Sequence, residues 1–133
     1  NATLAGHVEV GEYAILGGLS AVHQFVRIGR HAMVGGMSAV ENDVIPYGSV
    51  TGNRAHLSGL NIVGLKRRGF KREAIHDLRH AYRLLFSPKD TLQDRIAHVA
   101  KVFSSDAIVM EMVNFIQSES ARSICQPEAV RAS

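Results

Sequence analysis

Residues 1–40 read NATLAGHVEVGEYAILGGLSAVHQFVRIGRHAMVGGMSAV, and an aliphatic residue returns at every sixth position. The series is Leu4, Val10, Leu16, Val22, Ile28, Val34 and Val40. An α-helix would repeat its apolar face every 3.6 residues, and a single strand would repeat it every second residue. A period of six predicts very short strands joined by tight turns, in which each repeat buries its aliphatic residue against neighbouring repeats.

Small residues support this interpretation, because they permit a turn directly after each strand. They follow five of the seven aliphatic residues, at Ala5, Gly11, Gly17, Gly29 and Gly35. If three hexads complete one triangular coil, residues eighteen positions apart lie above one another. The sequence then predicts three internal ladders: Leu4 with Val22 and Val40, Val10 with Ile28, and Leu16 with Val34.

The repeat stops after Asp43. The stretch NDVIPYGSVTGNRAHLSG, residues 42–59, is rich in glycine and predicts a loop that leaves the coils. Helical periodicity begins in KREAIHDLRHAYRLLF, residues 71–86, and continues in two further segments. We expect Thr91 and Ser105 to cap those two helices and the tail from Arg122 to fray. We therefore divide the chain into β-helical coils with their exit loop, 1–52, and a helical domain, 53–133.

The net charge of +3 is unevenly distributed along the 133 residues. Residues 1–50 carry −2, residues 51–86 carry +6 and residues 87–133 carry −1. A local positive excess of this kind favours an anionic partner. Nucleic acid is a poor candidate, because the basic segment lacks interleaved aromatic residues and any recognition motif.

The sequence also bears on membrane insertion, cellular location and disulfide formation. It contains no apolar run of eighteen residues and no signal-peptide pattern, so we expect no membrane span and a cytoplasmic location. A single cysteine, Cys125, excludes an internal disulfide. Because Asn1 is not Met and already stands in phase with the repeat, we expect the chain to be a piece of a longer protein.

Three stretches carry a resemblance to a known family: NATLAGHVEV (1–10), GGLSAVHQFVRIG (17–29) and GLNIVGLKRRGF (59–70). The hexads resemble those of the hexapeptide-repeat acyltransferases. Together, the three stretches are similar to the C-terminal part of the acyl-ACP–UDP-N-acetylglucosamine O-acyltransferases of lipid A biosynthesis. The resemblance implies a left-handed parallel β-helix followed by a small α-helical C-terminal domain. It also implies a homotrimer without a cofactor, whose partners are acyl carrier protein and UDP-N-acetylglucosamine.

The implied reaction moves a 3-hydroxyacyl chain from acyl carrier protein to the 3-hydroxyl of the sugar. It needs a base for the hydroxyl and hydrogen-bond donors for the developing oxyanion. The family's general-base histidine lies just before NATLAGH and is not in this chain, which puts the activity of the isolated chain in doubt. The resemblance assigns the backbone N–H of Gly6 to the oxyanion and gives His7 a supporting role in the active site. Read without the family, Gly6 is a turn glycine and His7 a surface histidine.

The resemblance assigns three further groups of residues. Sugar-nucleotide contacts fall on His23, Gln24, Asn61, Arg67 and Arg68. The acyl groove falls on Met33, Gly36 and Met37, and a small residue at position 36 implies a long acyl chain. Carrier-protein contacts fall on Lys66, Lys71, Arg72, Arg79 and Arg83. A solvated charged face and ordinary turn glycines are the plain alternatives for these groups.

Other interpretations remain open from the sequence. A zinc site could draw on His7, His23 and His31, but their spacings of 16 and 8 lack the close pair that β-helical zinc enzymes use. His31 matches no motif and is expected in solvent or at a subunit contact. Arg54 and Val63 depart from the residues common in the family. The alternative functions are a non-catalytic module that binds acyl carrier protein, or another hexapeptide acyltransferase.

Overall fold

A computed structural model describes residues 1–128, which form nine strands and four helices. The residues divide into two compact units. The first consists of Asn1–Asn61 together with residues 119–128, and the second is Ile62–Ser118. The predicted division after residue 52 therefore differs from the observed one. The first unit continues to Asn61 and also includes the described end of the chain.

Seven two-residue strands follow one another at intervals of six residues. They are β1 Thr3–Leu4, β2 Glu9–Val10, β3 Ile15–Leu16, β4 Ala21–Val22, β5 Arg27–Ile28, β6 Met33–Val34 and β7 Ala39–Val40. They form three parallel faces with the strand orders β1-β4-β7, β2-β5 and β3-β6-β8-β9, the last including the hairpin described below. Leu4 pairs with Val22 and Val22 with Val40, Val10 pairs with Ile28, and Leu16 pairs with Val34. All three predicted ladders are confirmed.

Glycine directly after a strand has a physical reason in the stacking of the coils. A Cβ atom on Gly11 would lie 2.6 Å from the backbone nitrogen of Arg30, and one on Gly17 would lie 2.5 Å from that of Gly36. Both distances are well inside van der Waals contact, and backbone cannot rotate away as a side chain can. The coils therefore stack as closely as they do because glycine stands at these positions.

Three corners join the faces, and each is built from turns that stack on one another. The first corner comprises the turns 5–8 and 23–26, the second the turns 11–14, 29–32 and 45–47, and the third the turns 17–20 and 35–38. The same turn position has a left-handed backbone, with φ near 60°, at His7, Tyr13, Leu19, Phe25, His31, Met37 and Tyr47. Non-glycine residues rarely adopt this conformation. Here it is held by bonds between stacked turns, such as Tyr47 N–H to the Arg30 carbonyl at 2.9 Å.

The prediction of a loop over residues 42–59 is wrong. Val44 pairs with Ile28 and Val50 with Val34, so the coil continues with a repeat shortened from eighteen to sixteen residues. Strand β8, Gly48–Thr51, then forms an antiparallel hairpin with β9, His56–Leu60. The glycines mark its turn, where Gly52 has a φ of 113°.

The expected fraying from Arg122 is also wrong for the residues that the structure describes. Ile124 forms a parallel bridge with Asp43, and Pro127 forms one with Leu57. Cys125 is buried. Residues 129–133, the remainder of the predicted frayed tail, lie outside the described part of the chain.

The second unit contains α1 Ile62–Arg67, α2 Arg72–Leu85, α3 Leu92–Val102 and α4 Ala107–Gln117. The helical periodicity predicted over residues 71–86 is confirmed, and α2 buries Ile75, Leu78, Ala81 and Leu85 on one face. The predicted cap of α3 is confirmed, because the Thr91 hydroxyl accepts a hydrogen bond from Asp94 N–H at 3.1 Å. None of the helices among residues 1–128 has the length and apolarity needed to cross a bilayer.

The predicted start of α4 is off by one residue. Asp106, not Ser105, caps the helix, and its carboxylate accepts from the N–H groups of Ile108 and Val109 at 3.1 and 3.0 Å. A carboxylate also interacts favourably with the positive end of the helix dipole. The buried residues of α4 are Val109, Met112 and Val113.

Candidate functional site

The first corner brings together four of the residues assigned to catalysis and sugar binding. Gly6 and His7 occupy its lower turn, and His23 and Gln24 occupy the turn eighteen residues later. The two turns are joined by a hydrogen bond from Phe25 N–H to the Gly6 carbonyl at 3.2 Å. All four residues are exposed, so their polar groups are open to a ligand.

An aromatic stack orders this corner. The rings of His7 and Phe25 lie parallel, with centroids 5.1 Å apart and an angle of 4° between their planes. Both residues hold the left-handed backbone conformation, so the stack connects the same turn position in successive coils. Phe25 was not assigned a role from the sequence. Its position eighteen residues after His7 is the signal that could have identified it.

Gly6 differs from the glycines that packing requires. A Cβ atom on Gly6 would meet no heavy atom within 4 Å, and its backbone is not in the left-handed region. Within residues 1–128, the Gly6 N–H makes no backbone hydrogen bond, whereas its carbonyl accepts one from Phe25. Nothing in the described chain therefore demands glycine here, and the open N–H suits close approach of a ligand.

Asn61 does not join the first corner. Its side-chain amide is buried and donates to the His31 carbonyl at 2.9 Å, while its backbone N–H donates to the Tyr47 carbonyl at 2.7 Å. Both partners belong to the second corner. The contact that the structure gives Asn61 is therefore a structural one, between the end of the hairpin and the coil.

The second corner corrects the expectation that His31 lies in solvent. Its side chain is 3% exposed and its ring stacks between two tyrosines. The centroid distance is 4.9 Å to Tyr13 and 5.8 Å to Tyr47. The stacking of hexads buries His31, because turns above and below place an aromatic ring at the same corner position.

The third corner holds two residues of the predicted acyl groove. Gly36 and Met37 lie there, and Met37 N–H donates to the Gly18 carbonyl at 2.9 Å. The third groove residue, Met33, lies half-buried on β6, next to exposed Ile15 on β3. Met37 and Leu19 are 77% and 66% exposed, which makes this corner apolar. Ile15 and Leu19 were missed because the hexad pattern directs attention to the interior positions.

A basic cavity lies in the helical unit. It has a volume of about 560 Å³ and is lined by Lys66, Phe70, Arg72, Ile75, His76 and Arg79. Three of the predicted carrier-protein residues, Lys66, Arg72 and Arg79, thus share one cavity. Lys71 and Arg83 are exposed but do not line it, and neither do Arg67 and Arg68. His76, which the sequence analysis missed, stands four residues after Arg72 and three before Arg79, on the same helical face.

The histidines considered for zinc do not come together. His7 and His23 lie at the first corner and His31 at the second. Among residues 1–128, no three side chains of the types His, Cys, Asp and Glu form a group that could hold a metal ion.

Comparison with known proteins identifies related sequences. The family model described as UDP N-acetylglucosamine O-acyltransferase, domain 2, matches residues 43–125. A protein of Methylobacterium radiotolerans named acyl-[acyl-carrier-protein]–UDP-N-acetylglucosamine O-acyltransferase is 62% identical over 90 residues, covering 68% of this chain and 33% of that protein. The protein of the same name from Sinorhizobium fredii is 47% identical over 127 residues, covering 96% and 47%.

The solved structures that resemble this chain are also those of UDP-N-acetylglucosamine acyltransferases. The UDP-N-acetylglucosamine acyltransferase of Arabidopsis matches with a TM-score of 0.88 at 40% identity, over 94% of this chain and 46% of that one. The Francisella novicida enzyme matches with a TM-score of 0.88 at 33% identity, over 94% and 46%. These matches confirm the predicted fold class, a left-handed parallel β-helix followed by a small helical domain. The chain spans between a third and a half of the length of these relatives.

Proposed function

Because the chain belongs to the family of UDP-N-acetylglucosamine O-acyltransferases, we propose that it forms the C-terminal part of an enzyme of lipid A biosynthesis. The enzyme would transfer a 3-hydroxyacyl chain from acyl carrier protein to the 3-hydroxyl of UDP-N-acetylglucosamine, the first step of that synthesis. One observation on this chain's own residues supports the proposal. The first corner joins Gly6, His7, His23 and Gln24 from two successive coils and exposes all four.

The reaction assigns distinct roles at this corner. The sugar hydroxyl attacks the thioester carbonyl while a base removes its proton, and the carbonyl oxygen gains negative charge. Collapse of this intermediate breaks the carbon–sulfur bond, and the carrier's thiol leaves with the proton that the base took up. The open N–H of Gly6 is suited to donate to that oxyanion. His7, fixed by its stack on Phe25, would position the substrate. We propose that the base is supplied by a residue other than these four.

His23 and Gln24 are suited to the sugar nucleotide. Imidazole and carboxamide groups both donate and accept hydrogen bonds, as sugar hydroxyls and amides require. In the proposed enzyme the positive charges of Arg67 and Arg68 attract the diphosphate. Each guanidinium group can donate two parallel hydrogen bonds to two phosphate oxygens. The sugar-nucleotide role of Asn61 stays a prediction, since its side-chain amide donates to the His31 carbonyl at the second corner.

We also propose a homotrimer. The sugar-binding residues lie at the first corner and the groove residues Gly36 and Met37 at the third, so one β-helix holds them at different edges. A neighbouring subunit that sets its third corner beside the first corner would complete the site. The exposure of Leu19 and Met37 supports such a contact, because burying these apolar side chains is favourable.

The basic cavity of the helical unit supports docking of acyl carrier protein. Lys66, Arg72 and Arg79 surround it, and a carrier protein with an acidic surface would gain favourable electrostatic steering there. Lys71 and Arg83 extend the same charge on the exposed surface. We propose that the reaction takes place in the cytoplasm.

The test uses the full-length protein with UDP-N-acetylglucosamine and 3-hydroxyacyl carrier proteins of several chain lengths. Acylated sugar nucleotide, detected by mass spectrometry, is the expected product. Arg79→Glu should raise KM for the acyl carrier protein and leave KM for the sugar nucleotide unchanged, and Lys101→Glu on α3 serves as the matched control. A folded protein that yields no product with any chain length would contradict the proposed activity.

A second function is favoured by the same cavity. A module that binds acyl carrier protein without catalysis would need the cations but not the first corner. Binding of the carrier protein without product formation, in a protein that does not bind UDP-N-acetylglucosamine, would support it over the acyltransferase.

A further inference from the structure

The described end of the chain forms a strap, residues 120–127, that lies along the last coil of the first unit. Its anchor is Asp43, which is fully buried. The Asp43 carboxylate accepts from the backbone N–H of Arg27 at 2.9 Å, forms an ion pair with the Arg27 guanidinium at 2.9 Å, and accepts from the Ser120 hydroxyl at 2.5 Å. A buried carboxylate surrounded in this way is held firmly, because removing one partner would leave an uncompensated charge.

Backbone contacts fix the rest of the strap. The Asp43 N–H donates to the Ser123 carbonyl at 2.8 Å, and the Cys125 N–H donates to the Asp43 carbonyl at 2.6 Å. Further along, Leu57 N–H donates to the Gln126 carbonyl at 3.0 Å. The strap is therefore held before Arg122, at Ser120, and after it, from Ser123 to Gln126. These contacts fix the backbone position of Arg122.

Arg122 lies against the first corner. Its Nε donates to the Gln24 carbonyl at 3.1 Å, and its backbone N–H donates to the Ser120 hydroxyl at 3.3 Å. The side chain is only partly exposed, so its charge is less screened than that of a fully exposed arginine. Within residues 1–128, the two terminal guanidinium nitrogens make no hydrogen bond or ion pair.

A guanidinium held by its Nε presents its remaining N–H groups as a planar fork. That fork matches two oxygens of a phosphate or carboxylate, and it gives geometry as well as charge. The Nε contact fixes the plane of the fork beside Gln24, one of the residues proposed to bind the sugar nucleotide. The anion expected at that place is the diphosphate of the nucleotide.

We propose that Arg122 is a further substrate-binding residue, and that the strap completes the sugar-nucleotide site by holding this guanidinium at the diphosphate. The inference rests on the proposed function. It explains why the chain returns from the helical unit to the coils, since the strap delivers a cation that the first corner lacks. Arg27, which lies near the same turn in sequence, is committed to Asp43.

The test measures the Kd of UDP-N-acetylglucosamine by calorimetry on the full-length protein, at low salt and at high salt. Arg122→Gln is expected to weaken binding about tenfold or more at low salt, the usual scale for a lost charged hydrogen bond. The difference should narrow at high salt, because screening weakens the wild-type contact. The matched control, Lys101→Gln, removes one exposed charge from α3 and should leave Kd unchanged.

Other outcomes overturn the inference in distinct ways. A Kd equal to that of the wild type would contradict the role of Arg122 and leave the proposed function standing. A loss of the same factor at every salt concentration would show that Arg122 only supports the Gln24 turn. A wild-type protein that does not bind UDP-N-acetylglucosamine would overturn the proposed function, and the inference with it.

Arg122→Lys is a second variant that keeps the proposal testable if Arg122→Gln does not fold. It keeps the charge but loses the planar fork, so binding should fall between those of the wild type and of Arg122→Gln. If Arg122→Gln does not fold, wild-type affinity in a folded Arg122→Lys protein would contradict the proposal.

Discussion

The coils of the first unit and the helices of the second are stabilised in different ways. In the coils, backbone hydrogen bonds run between residues about eighteen positions apart, as from the Ile15 N–H to the Ala32 carbonyl at 2.9 Å. In the helices, backbone hydrogen bonds stay within about one turn, and buried side chains such as Leu78 and Val99 pack one helix against the next. The sequence period of the coils therefore predicts which residues contact each other. The period of a helix predicts only which face of that helix is buried.

The first prediction tests the helical side of this comparison. Leu78 in α2 is fully buried, and Leu78→Ala should lower the free energy of unfolding by about 2–5 kcal/mol, because it removes apolar contacts and leaves a cavity. Urea denaturation measures the change. Val102→Ala, at a position 51% exposed on α3, is the control and should cost much less. Equal costs for the two variants would contradict side-chain packing as the source of stability.

The second prediction tests the coil side with two neighbouring glycines. Gly17→Ala should cost about 1–3 kcal/mol, because its Cβ would meet the Gly36 backbone nitrogen at 2.5 Å. Gly18→Ala should be neutral or slightly stabilising, because a Cβ there meets nothing within 4 Å and the unfolded chain loses freedom. Thermal unfolding of both variants provides the comparison. A harmless Gly17→Ala would show that the coils can separate where the structure holds them close.

The third prediction concerns the strap and pH. Burial, with a further contribution from the Asp43 carboxylate, raises the pKa of the Cys125 thiol from 9.0 to about 11. The folded protein therefore keeps a proton that the unfolded chain releases above pH 9. The free energy of unfolding should fall by up to about 1.4 kcal/mol per pH unit between pH 9 and 11, and this contribution is complete below pH 9.

Cys125→Ala separates this effect from other titrations. The variant should show a shallower loss of stability over the same pH range, measured by urea denaturation at each pH. An identical pH profile for the variant and the wild type would mean that the thiol is not buried by the strap.

The fourth prediction has the smallest expected effect and decides the start of α4. Asp106→Ala should lower the free energy of unfolding by about 1 kcal/mol, because two backbone N–H groups lose their acceptor. Ser105→Ala should change it little, since Ser105 is exposed. The reverse order of effects in chemical denaturation would restore Ser105 as the cap.

The comparison also explains what sequence could predict. The ladder from Leu4 through Val22 to Val40 followed from the period alone, because stacked coils repeat at a constant interval. The pairing of Val34 with Val50 did not, because the interval shortens to sixteen and the glycines nearby resemble those of a loop. The strap pairs Asp43 with Ile124. No local sequence pattern predicts a contact between residues so far apart along the chain.

The candidate site divides in the same manner. The eighteen-residue repeat places Gly6 beside Gln24, so their proximity was implied by the register. The burial of His31 depends on the tyrosines above and below it, and a turn position in a hexad gives no sign of its neighbours' size. Arg122 was missed because its role depends on where the strap lies.

The central claim is that the first corner, and not another corner of the β-helix, binds the sugar nucleotide. Calorimetric titration of UDP-N-acetylglucosamine into full-length Gln24→Ala tests it most directly. The variant removes the carboxamide but keeps the backbone carbonyl that Arg122 contacts. Glu12→Ala is the matched control, because Glu12 occupies the same hexad position at the second corner. We predict at least about fivefold weaker binding for Gln24→Ala and an unchanged Kd for Glu12→Ala. Wild-type affinity in Gln24→Ala, with weakened binding in Glu12→Ala, would contradict the account.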